Sequence, residues 1–469
     1  MTLAGGNVAT IPFDREVFDR AVREVFAKGG FSAEMLADPA VRPLIEETFN
    51  MLNGAIDTAI KTETPPELTA ALQNNAFVFS GFKTYHSLSE VGLALTDADG
   101  NVKPFETFRK DVEAIDSKYN TNYLYAEYNH ALSTSQMAVK WHDIMQDGDR
   151  YNLQYRTAGD ERVRSEHATL DNTTLPPSDE FWKFYLPPNG WNCRCTVEQV
   201  LRDDYPMSDP GVAKAAGDAC TEEPKARMFR YNAGQEMTIF PKKHPYLPKG
   251  CGNCDRSLNL AYDPKREQCR VCRVVSEQAR KAEVQRFYDR LSHDEKYRDV
   301  KYDSLTGGLC AIHIGHNTIS NNSEVVRWGM TGADLENEVI KLLFQNGHMA
   351  ILCDESKKKG GNTLPALDLQ LDGVMMDIRS ITKQKRHYGS ALRDKNRQLA
   401  RYNARSDVHI PADTVCLYFH DGSMYHPGRI TGGIKWMKKQ TSNVNLREVV
   451  CVIRNEDDTI EIRRHKVKA

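Results

Sequence analysis

The sequence predicts a multidomain α+β protein with a helical N-terminal region, a small cysteine-rich insert and a C-terminal α/β domain. A chain of 469 residues is too long for a single growing hydrophobic core, so two to four compact units are expected. Through residues 13–141, apolar residues recur at spacings of three and four, which is the period of amphipathic helices. After residue 308, short apolar runs alternate with a helical pattern, as in a sheet packed against helices.

The composition is that of an ordinary globular protein. Hydrophobic residues make up 40% and charged residues 27% of the chain, which excludes a disordered or membrane-embedded class. A net charge of -2 from 62 basic and 64 acidic side chains argues against a uniformly basic nucleic-acid coat. With no leader pattern and no run of 18 apolar residues, the sequence predicts a cytoplasmic protein without membrane contact.

Helices are predicted over residues 13–62 and 75–141, and the aromatic residues along 105–141 are expected to lie in the core. Residues 151–210 are rich in Pro, Gly and Asn, which predicts a compact, loop-rich knot. The predicted boundaries are 1–74 for the N-terminal helices, 75–208 for the next domain, 209–250 for a connector, 251–300 for the insert with a helical spacer, and 305–469 for the C-terminal domain.

The C-terminal domain contains one clear helical pattern, at 333–347, among several apolar runs. These runs predict strands at 349–353, 368–380 and 413–420, with a final strand pair at 448–465.

Four side chains in the loop-rich segment have the chemistry of a metal site. Asp160, His167, Cys193 and Cys195 offer one hard, one intermediate and two soft ligands within 36 residues, a set that can hold Zn²⁺ tetrahedrally. The alternative is that the cysteines are small buried hydrophobes and that His167 hydrogen-bonds a loop. The C-x-C spacing, tighter than that of a zinc knuckle, favours this alternative.

The same segment carries a family resemblance. Arg162-Val-Arg164-x-x-His167-x-x-Leu170, followed by Pro187-Pro-Asn-Gly-Trp-Asn-Cys193-Arg-Cys195, closely resembles the signature of the phage Mu F-like head-morphogenesis family. The resemblance covers roughly residues 60–205 and implies a minor capsid component, with portal and coat proteins as partners. It implies residence in the bacterial host cytoplasm during assembly and then in the virion, and no catalysis. Asn172 stands where a glycine is expected, and asparagine tolerates the left-handed conformation.

Two cysteine pairs follow. Cys251 and Cys254, then Cys269 and Cys272, give C-x2-C-x14-C-x2-C, the spacing of a four-thiolate, zinc-ribbon-like structural site. Free cysteines or a redox pair are the alternative. The charged run 276–299 after the insert is interpreted as a solvated helix or spacer.

The C-terminal domain carries a candidate catalytic set of carboxylates and one cation. Glu336 on the helix precedes Asp368, Asp377 and Arg379 on strands, an order suited to holding Mg²⁺ or another divalent ion and cleaving a phosphodiester. The alternative is that Glu336 and its neighbour Glu338 lie on a solvated helix face and that Asp368 and Asp372 only shape a turn.

Residues 332–355 and 367–384 resemble the toxin nucleases of contact-dependent inhibition systems and phage-associated nuclease domains. Two interpretations of the resemblance remain open. In metal-dependent PD-(D/E)xK-like enzymes, Glu336, Asp368, Asp377 and Arg379 take the motif positions, with Arg379 in place of the usual Lys and Ala-Leu before Asp368 in place of Pro. In metal-independent RNases of the barnase and colicin type, the active residues would be Arg379, Ser380, Lys383 and His387, with His387 as general acid or base.

The segment Lys385 to Arg405 carries seven basic residues and one acid, so it either follows a nucleic-acid backbone, in tRNA or DNA, or is a plain solvated helix.

Together the patterns predict a phage or prophage minor head protein with an accessory nuclease-like domain. The alternative function is a toxin-like nuclease that a phage head module delivers or anchors.

Overall fold

The computed structural model describes residues 12–241, 243–247, 270–316, 325–359, 362–405, 408 and 411–467. The chain is a multidomain α+β protein, as predicted, and divides into two compact units, residues 1–280 and 281–469. In the described ranges, no helix combines the length and the apolar character that crossing a membrane requires.

The first unit begins with a helical bundle that agrees with both predicted helical regions. Its five long helices are α1 (Arg15–Ala27), α2 (Arg42–Ala59), α3 (Pro66–Leu93), α4 (Phe105–Ser117) and α5 (Leu124–Asp147). A 3-10 turn, Ala33–Ala37, lies between α1 and α2, and a wide π-helical turn, Lys118–Tyr123, connects α4 to α5.

Local sequence explains where α1 begins and which face it buries. The Asp14 side chain accepts a hydrogen bond from the backbone N–H of Glu16 at 2.9 Å, which satisfies one unpaired donor of the first turn. The buried residues of α1 recur at helical spacing: Val17, Phe18, Ala21, Val22 and Val25. This apolar face packs on α2 and α3, which in turn contact α5.

The aromatic residues of 105–141 are only partly in the core. Phe108, Tyr119 and Trp141 are buried, as expected. Tyr123 and Tyr125 are 43% and 37% exposed, so the prediction of a continuous buried aromatic stripe is wrong there. The π-helical turn interrupts the helical period at this point, and the residues after it no longer keep the register that the spacing implied.

The loop-rich segment folds around a three-stranded antiparallel sheet of order β2-β1-β3. The strands are β1 (Asn152–Arg156), β2 (Thr174–Leu175) and β3 (Thr196–Val200), with short helices α6 (Ser165–Ala168) and α7 (Phe181–Tyr185). Its core contains Tyr155, Trp182 and Val197.

The described part of the predicted connector, residues 209–250, packs against the helices of the first unit. It contains α8 (Pro210–Cys220), a 3-10 turn (Arg227–Phe229) and α9 (Ala233–Glu236). The Phe240 ring stacks on Phe79 with 3.6 Å between centroids. The buried Asn75 amide accepts from the backbone N–H groups of Ile239 and Phe240 at 3.0 and 2.8 Å.

The charged run after the insert corresponds to α10 (Arg270–Ser292). The helix is not fully solvated, because Val275, Ala279 and Val284 are buried. The run also ends earlier than expected: Tyr297 begins a strand, so the helical interpretation of residues 297–299 is wrong.

The second unit is built on a mixed eight-stranded sheet. In spatial order its strands are β15 (Ile460–Lys466), β14 (Glu448–Arg454), β13 (Thr414–Phe419), β12 (Val374–Ser380), β11 (Leu369–Leu371), β8 (Met349–Leu352), β5 (Gly308–His313) and β4 (Tyr297–Asp303). The helices are α11 (Gly332–Gln345), α12 (Gly389–Asn403) and α13 (Pro427–Gln440). Two short pairs complete the unit: β6 (Val325–Arg327) with β7 (Met330–Thr331), and β9 (Lys358–Lys359) with β10 (Asn362–Thr363).

Helices cover both faces of this sheet, which explains why its central strands are continuously apolar. Val415, Leu417 and Phe419 of β13 face α12 and α13, whereas Cys416 and Tyr418 face α11. Strands β12, β13 and β14 run parallel and are joined through α12 and α13. Successive side chains of β12 likewise point to opposite faces of the sheet, and those on the α12 face include a candidate catalytic group.

Candidate functional site

In the first unit, three predicted metal ligands lie together. The ligand atoms of His167, Cys193 and Cys195 are all within 4.8 Å of one another. His167 Nδ1 is 3.5 Å from the Cys193 Sγ and 3.6 Å from the Cys195 Sγ. α6 supplies the histidine, and the loop before β3 supplies both cysteines. The three side chains are buried or nearly so.

The cluster is strongly polarised. Burial opposes protonation of the His167 imidazole, but hydrogen bonds with Cys193 and Cys220 raise its pKa to about 9. The hydrogen bond with Cys195 and the neighbouring His167 hold the pKa of Cys193 well below its usual range. The pKa of Cys195 is raised, first by Cys193 and then by burial. The two shifts have opposite signs, so the contact favours the charged forms of both the His167 ring and the Cys193 sulfur.

Asp160 does not join this cluster. Its two carboxylate oxygens accept hydrogen bonds from both terminal nitrogens of the Arg194 guanidinium at 2.6 Å each. The Arg164 guanidinium donates to the backbone carbonyl of Trp191 at 2.6 Å. Arg164 and Arg194 thus join the segment around residues 160–170 to the segment around residues 187–195. The hypothesis that Asp160 is a hard metal ligand is wrong, because both of its carboxylate oxygens are bound by the Arg194 guanidinium.

The motif asparagines also have structural roles. Asn172, which stands where a glycine was expected, adopts a φ of 63°. This is the left-handed conformation that asparagine tolerates. The buried Asn189 amide accepts a 2.9 Å hydrogen bond from the Tyr155 hydroxyl on β1.

In the second unit, Asp368 and Asp377 lie side by side. Met376 and Ile378 point to the α11 face of the sheet, so Asp377 between them points to the α12 face. Asp368, just before β11, accepts from the Ile378 backbone N–H at 3.2 Å. The interpretation of Asp368 as a mere turn residue is therefore wrong, whereas Asp372, at a φ of 47°, does shape the turn.

A lysine from α12 completes this group, called here the carboxylate–lysine site (Asp368, Asp377, Lys395). The Lys395 Nζ is 2.9 Å from Asp377 Oδ2 and 3.6 Å from Asp368 Oδ2. Burial raises the pKa of Asp377 well above its usual range, and the adjacent Asp368 raises it further. Burial opposes ionisation of Asp368, but Asp377 and Lys395 lower its pKa on balance. Burial and the mutual contact thus favour the charged form of Asp368 over that of Asp377.

Glu336 connects to this site through intermediates. The buried His316 lies 3.2 Å from Glu336 and 3.5 Å from Glu355, and the Glu355 carboxyl is within hydrogen-bonding reach of Asp368. Glu338 accepts hydrogen bonds from the Tyr418 hydroxyl at 2.7 Å and pairs with His420 at 2.6 Å. The interpretation of Glu336 and Glu338 as a solvated helix face is therefore wrong.

A cavity of ≈ 340 Å³ opens beside Lys395. Its charged lining residues are Arg379, Lys383, Lys385, Lys395 and one acid, Asp394. His387 does not line this cavity; its ring packs 5.5 Å from that of Trp436. A predominantly basic cavity beside buried carboxylates is suited to binding a phosphate group.

The comparisons with known proteins concern the first unit. Residues 90–198 match the family model described as Phage Mu protein F like protein. This region is similar to that family, and it is called here the Mu F-like region. It contains His167, Cys193 and Cys195, and it ends before α8. The carboxylate–lysine site lies outside it.

Two curated relatives match over limited lengths. A protein of Escherichia phage Mu named "Putative capsid assembly protein F" is 32% identical over 146 residues, 29% of this chain and 30% of that protein. The Mu-like prophage FluMu F protein of Haemophilus influenzae is 28% identical over 94 residues, 20% of this chain and 22% of that protein. The chain thus covers less than a third of either relative's length, and no solved structure matches it.

Several residues close to the two candidate sites were not singled out from the sequence. Cys220, Glu355 and His316 carried no recognisable spacing, and Lys395 was noticed only as one of many basic residues in 385–405. Among the predicted zinc-ribbon ligands, Cys251, Cys254 and Cys269 lie outside the described residues, and Cys272 lies in the first turn of α10.

Proposed function

We propose that the chain is a minor head protein of a phage or prophage and acts in capsid assembly. The observation that carries this proposal is the match of residues 90–198 to the Mu F-like family, together with the capsid-assembly name of the phage Mu relative. Portal and coat proteins are the proposed partners, and the host cytoplasm followed by the virion is the proposed location. The zinc-ribbon site at Cys251, Cys254, Cys269 and Cys272 remains part of the proposal as a stability element.

The test is complementation of a phage or prophage whose copy of this gene has been deleted. The full chain should restore DNA-filled heads, counted by electron microscopy and plaque formation. Arg194→Ala, which frees Asp160 and loosens the Mu F-like loops, should reduce head yield, whereas Arg202→Ala, on the loop after β3, should not. Normal heads in the deletion strain would contradict the proposal.

A second proposed function belongs to the second unit, namely divalent-metal-dependent cleavage of nucleic acid. The observation that favours it is a pair of buried carboxyl groups that share one ammonium: Lys395 Nζ lies 2.9 Å from Asp377 Oδ2 and 3.6 Å from Asp368 Oδ2. Two buried carboxyl groups with one shared cation are costly in a purely structural position. Hard carboxylate oxygens from Asp368 and Asp377 are the ligands that Mg²⁺ prefers, so the donor set fits the ion.

The roles of the side chains follow from the geometry. Asp368 and Asp377 would hold Mg²⁺, which supplies Lewis acidity and lowers the pKa of bound water. Lys395, 2.9 Å from Asp377, is placed to stabilise negative charge developing on the phosphate. Arg379 and Lys383 in the adjoining cavity would orient the nucleic-acid backbone.

The corresponding experiment incubates the purified full chain with plasmid DNA and with tRNA, in Mg²⁺ or EDTA. We expect cleavage that requires Mg²⁺ and is lost in Asp377→Asn. Asp372→Asn is the matched control, because this turn residue pairs with His348 rather than with Lys395. EDTA-resistant RNA cleavage that is lost in His387→Ala would instead support the metal-free alternative. No cleavage under any condition would contradict a nuclease function.

The Asp377→Asn variant also distinguishes the toxin-like alternative from the proposed role in head assembly. If expression of the full chain arrests growth and Asp377→Asn relieves the arrest while head yield is unaffected, the head region serves delivery or anchoring. If Asp377→Asn changes neither growth nor head yield, the toxin alternative is contradicted.

A further inference from the structure

We propose that Trp328, on the hairpin between β6 and β7, stacks on an unpaired base of a nucleic-acid strand whose phosphates occupy the basic cavity beside Lys395. The substrate class is then single-stranded nucleic acid rather than a continuous duplex. This inference rests on the proposed nucleic-acid function of the second unit and adds the residue that selects an open strand.

Trp328 occupies a turn position that its residue type does not favour. Arg327 of β6 pairs with Met330 of β7. The two residues between them, Trp328 and Gly329, therefore form the turn, with φ of 54° and 72°. Positive φ at both central residues is the type I′ pattern, in which Asn, Asp and Gly are favoured, and a bulky aromatic residue in this region lowers local stability. Local folding gives no reason for a tryptophan here, whereas a contact made by its ring does.

The indole ring is held in place but remains open to solvent. Its centroid lies 4.5 Å from that of the His420 ring, and the Glu338 carboxylate lies 2.6 Å from His420 Nδ1. The Arg327 guanidinium lies 4.6 Å from the indole centroid. Trp328 is nevertheless 38% exposed. A positioned, partly exposed aromatic ring is the feature on which the bases of single strands stack.

The ring and the basic cavity lie at the same edge of the sheet. β12 and β13 run parallel, with Ser380 beside Tyr418. Ser380, the last residue of β12, lines the cavity. His420, which contacts Trp328, directly follows β13. Both features therefore lie at the carboxyl ends of parallel strands, where α/β sheets bind their ligands.

Arg327 joins the two features directly. Its guanidinium donates a hydrogen bond to the backbone carbonyl of Thr382, and Thr382 and Lys383 line the cavity. The same guanidinium lies beside the Trp328 ring. One arginine head group thus spans the separation between the ring and the cavity wall, which places a base on Trp328 next to a phosphate in the cavity.

The charge of the cavity identifies the phosphate backbone as its occupant. The cavity, of ≈ 340 Å³, is lined by four cations and one acid: Arg379, Lys383, Lys385, Lys395 and Asp394. Contacts of cations with phosphates carry no sequence information, and they do not distinguish an open strand from a duplex. The ring does, because the bases of a duplex are stacked on one another and offer no free face.

The test measures binding rather than cleavage and uses the full chain in EDTA. The probes are a fluorescent single strand of about ten nucleotides and the same sequence as a blunt duplex, both followed by fluorescence anisotropy. Trp328→Asn and Trp328→Gly remove the ring and suit the type I′ turn, so their melting temperatures should not fall. We expect either variant to weaken single-strand binding roughly 5- to 150-fold and to leave duplex binding unchanged.

Three control variants complete the design. Trp328→Tyr keeps an aromatic ring and should bind the single strand within about threefold of the unaltered chain. Leu305→Asn, at an exposed apolar residue in the turn between β4 and β5, should change neither affinity. Lys383→Ala should weaken binding of both probes and lower the salt dependence by about one phosphate contact.

A single strand of abasic nucleotides gives a second measurement that needs no variant. The unaltered chain should bind this strand as weakly as Trp328→Asn binds the normal one. Equal affinity for the abasic and normal strands would overturn the proposal, as would single-strand binding that Trp328→Asn leaves unchanged or a chain that binds neither probe. An equal loss on single strand and duplex would contradict the selection of an open strand. Absence of cleavage in Mg²⁺, with ring-dependent binding intact, would contradict the nuclease function but not this inference.

Discussion

The buried ion pair between α3 and α5 gives a quantitative test of how the first unit is packed. Lys83 Nζ lies 2.6 Å from Glu127 Oε2, and their side chains are only 2% and 3% exposed. The Tyr246 hydroxyl donates to the other oxygen of Glu127. Burial lowers the pKa of Lys83, and Glu127 opposes this shift. Glu127 is thus the partner that favours the charged form of Lys83 against the effect of burial.

Removing only the lysine should be costly. Lys83→Met leaves the Glu127 carboxylate buried with one hydrogen-bond donor from Tyr246, and breaking a buried pair in this way costs about 3–5 kcal/mol. The double variant Lys83→Met, Glu127→Gln carries no uncompensated charge and keeps an acceptor for Tyr246. We expect the double variant to lie within about 1–2 kcal/mol of the unaltered chain.

Hydrogen exchange read by mass spectrometry measures this locally. Amides of α3 and α5 should exchange roughly 10²- to 10³-fold faster in Lys83→Met, in proportion to the loss of stability, and the double variant should recover most of the protection. Peptides from β13 and β14 of the second unit are the internal control and should not change. Two results would refute a buried, charged pair. One is equal protection of these amides in Lys83→Met and in the unaltered chain. The other is a double variant whose amides are as unprotected as those of Lys83→Met.

Three further predictions follow from buried groups. Burial lowers the pKa of His130 to about 4, whereas the unfolded chain titrates near 6.5; acidification from about pH 6.5 to about pH 4 should therefore remove roughly 3 kcal/mol of stability. His130→Gln should flatten this part of the pH dependence of urea unfolding, and an unchanged slope would contradict the assignment. Gly217→Ala would place a Cβ 2.6 Å from the Tyr185 ring and should lower the free energy of unfolding by about 1–3 kcal/mol. Gly54→Ala, with open space around it in α2, should instead raise the free energy of unfolding by up to about 1 kcal/mol. Equal melting temperatures of the two variants would refute this prediction. Lys395→Met should slow Mg²⁺-dependent cleavage about 10²-fold, measured on plasmid DNA, and an unaffected rate would remove Lys395 from the site.

Elements with strong local signals were predictable from the sequence. α11 begins at a capping box between Thr331 and Asp334 and carries its apolar residues at helical spacing. The central strands β13 and β14 are continuous apolar runs because both sheet faces are covered. The antiparallel pair β4 and β5 was missed because β4, at the sheet edge, has no fully buried residue and its sequence is mostly polar.

Long-range partners were not predictable in the same way. Lys395 meets Asp377 only because the chain crosses over through α12. Ile239 and Phe240 lie outside the helices of this segment and are held by single side chains of α3, Asn75 and Phe79. Tertiary contacts, rather than local propensity, decide these positions.

The most direct test of the central claim is the protein composition of purified phage or prophage heads that carry this gene. Quantitative mass spectrometry should find the chain in the particles, at a copy number well below that of the major coat protein, and peptides of the Mu F-like region 90–198 should be among those detected. Particles that contain their full complement of DNA and coat protein but no trace of the chain, during assembly or after it, would contradict the account.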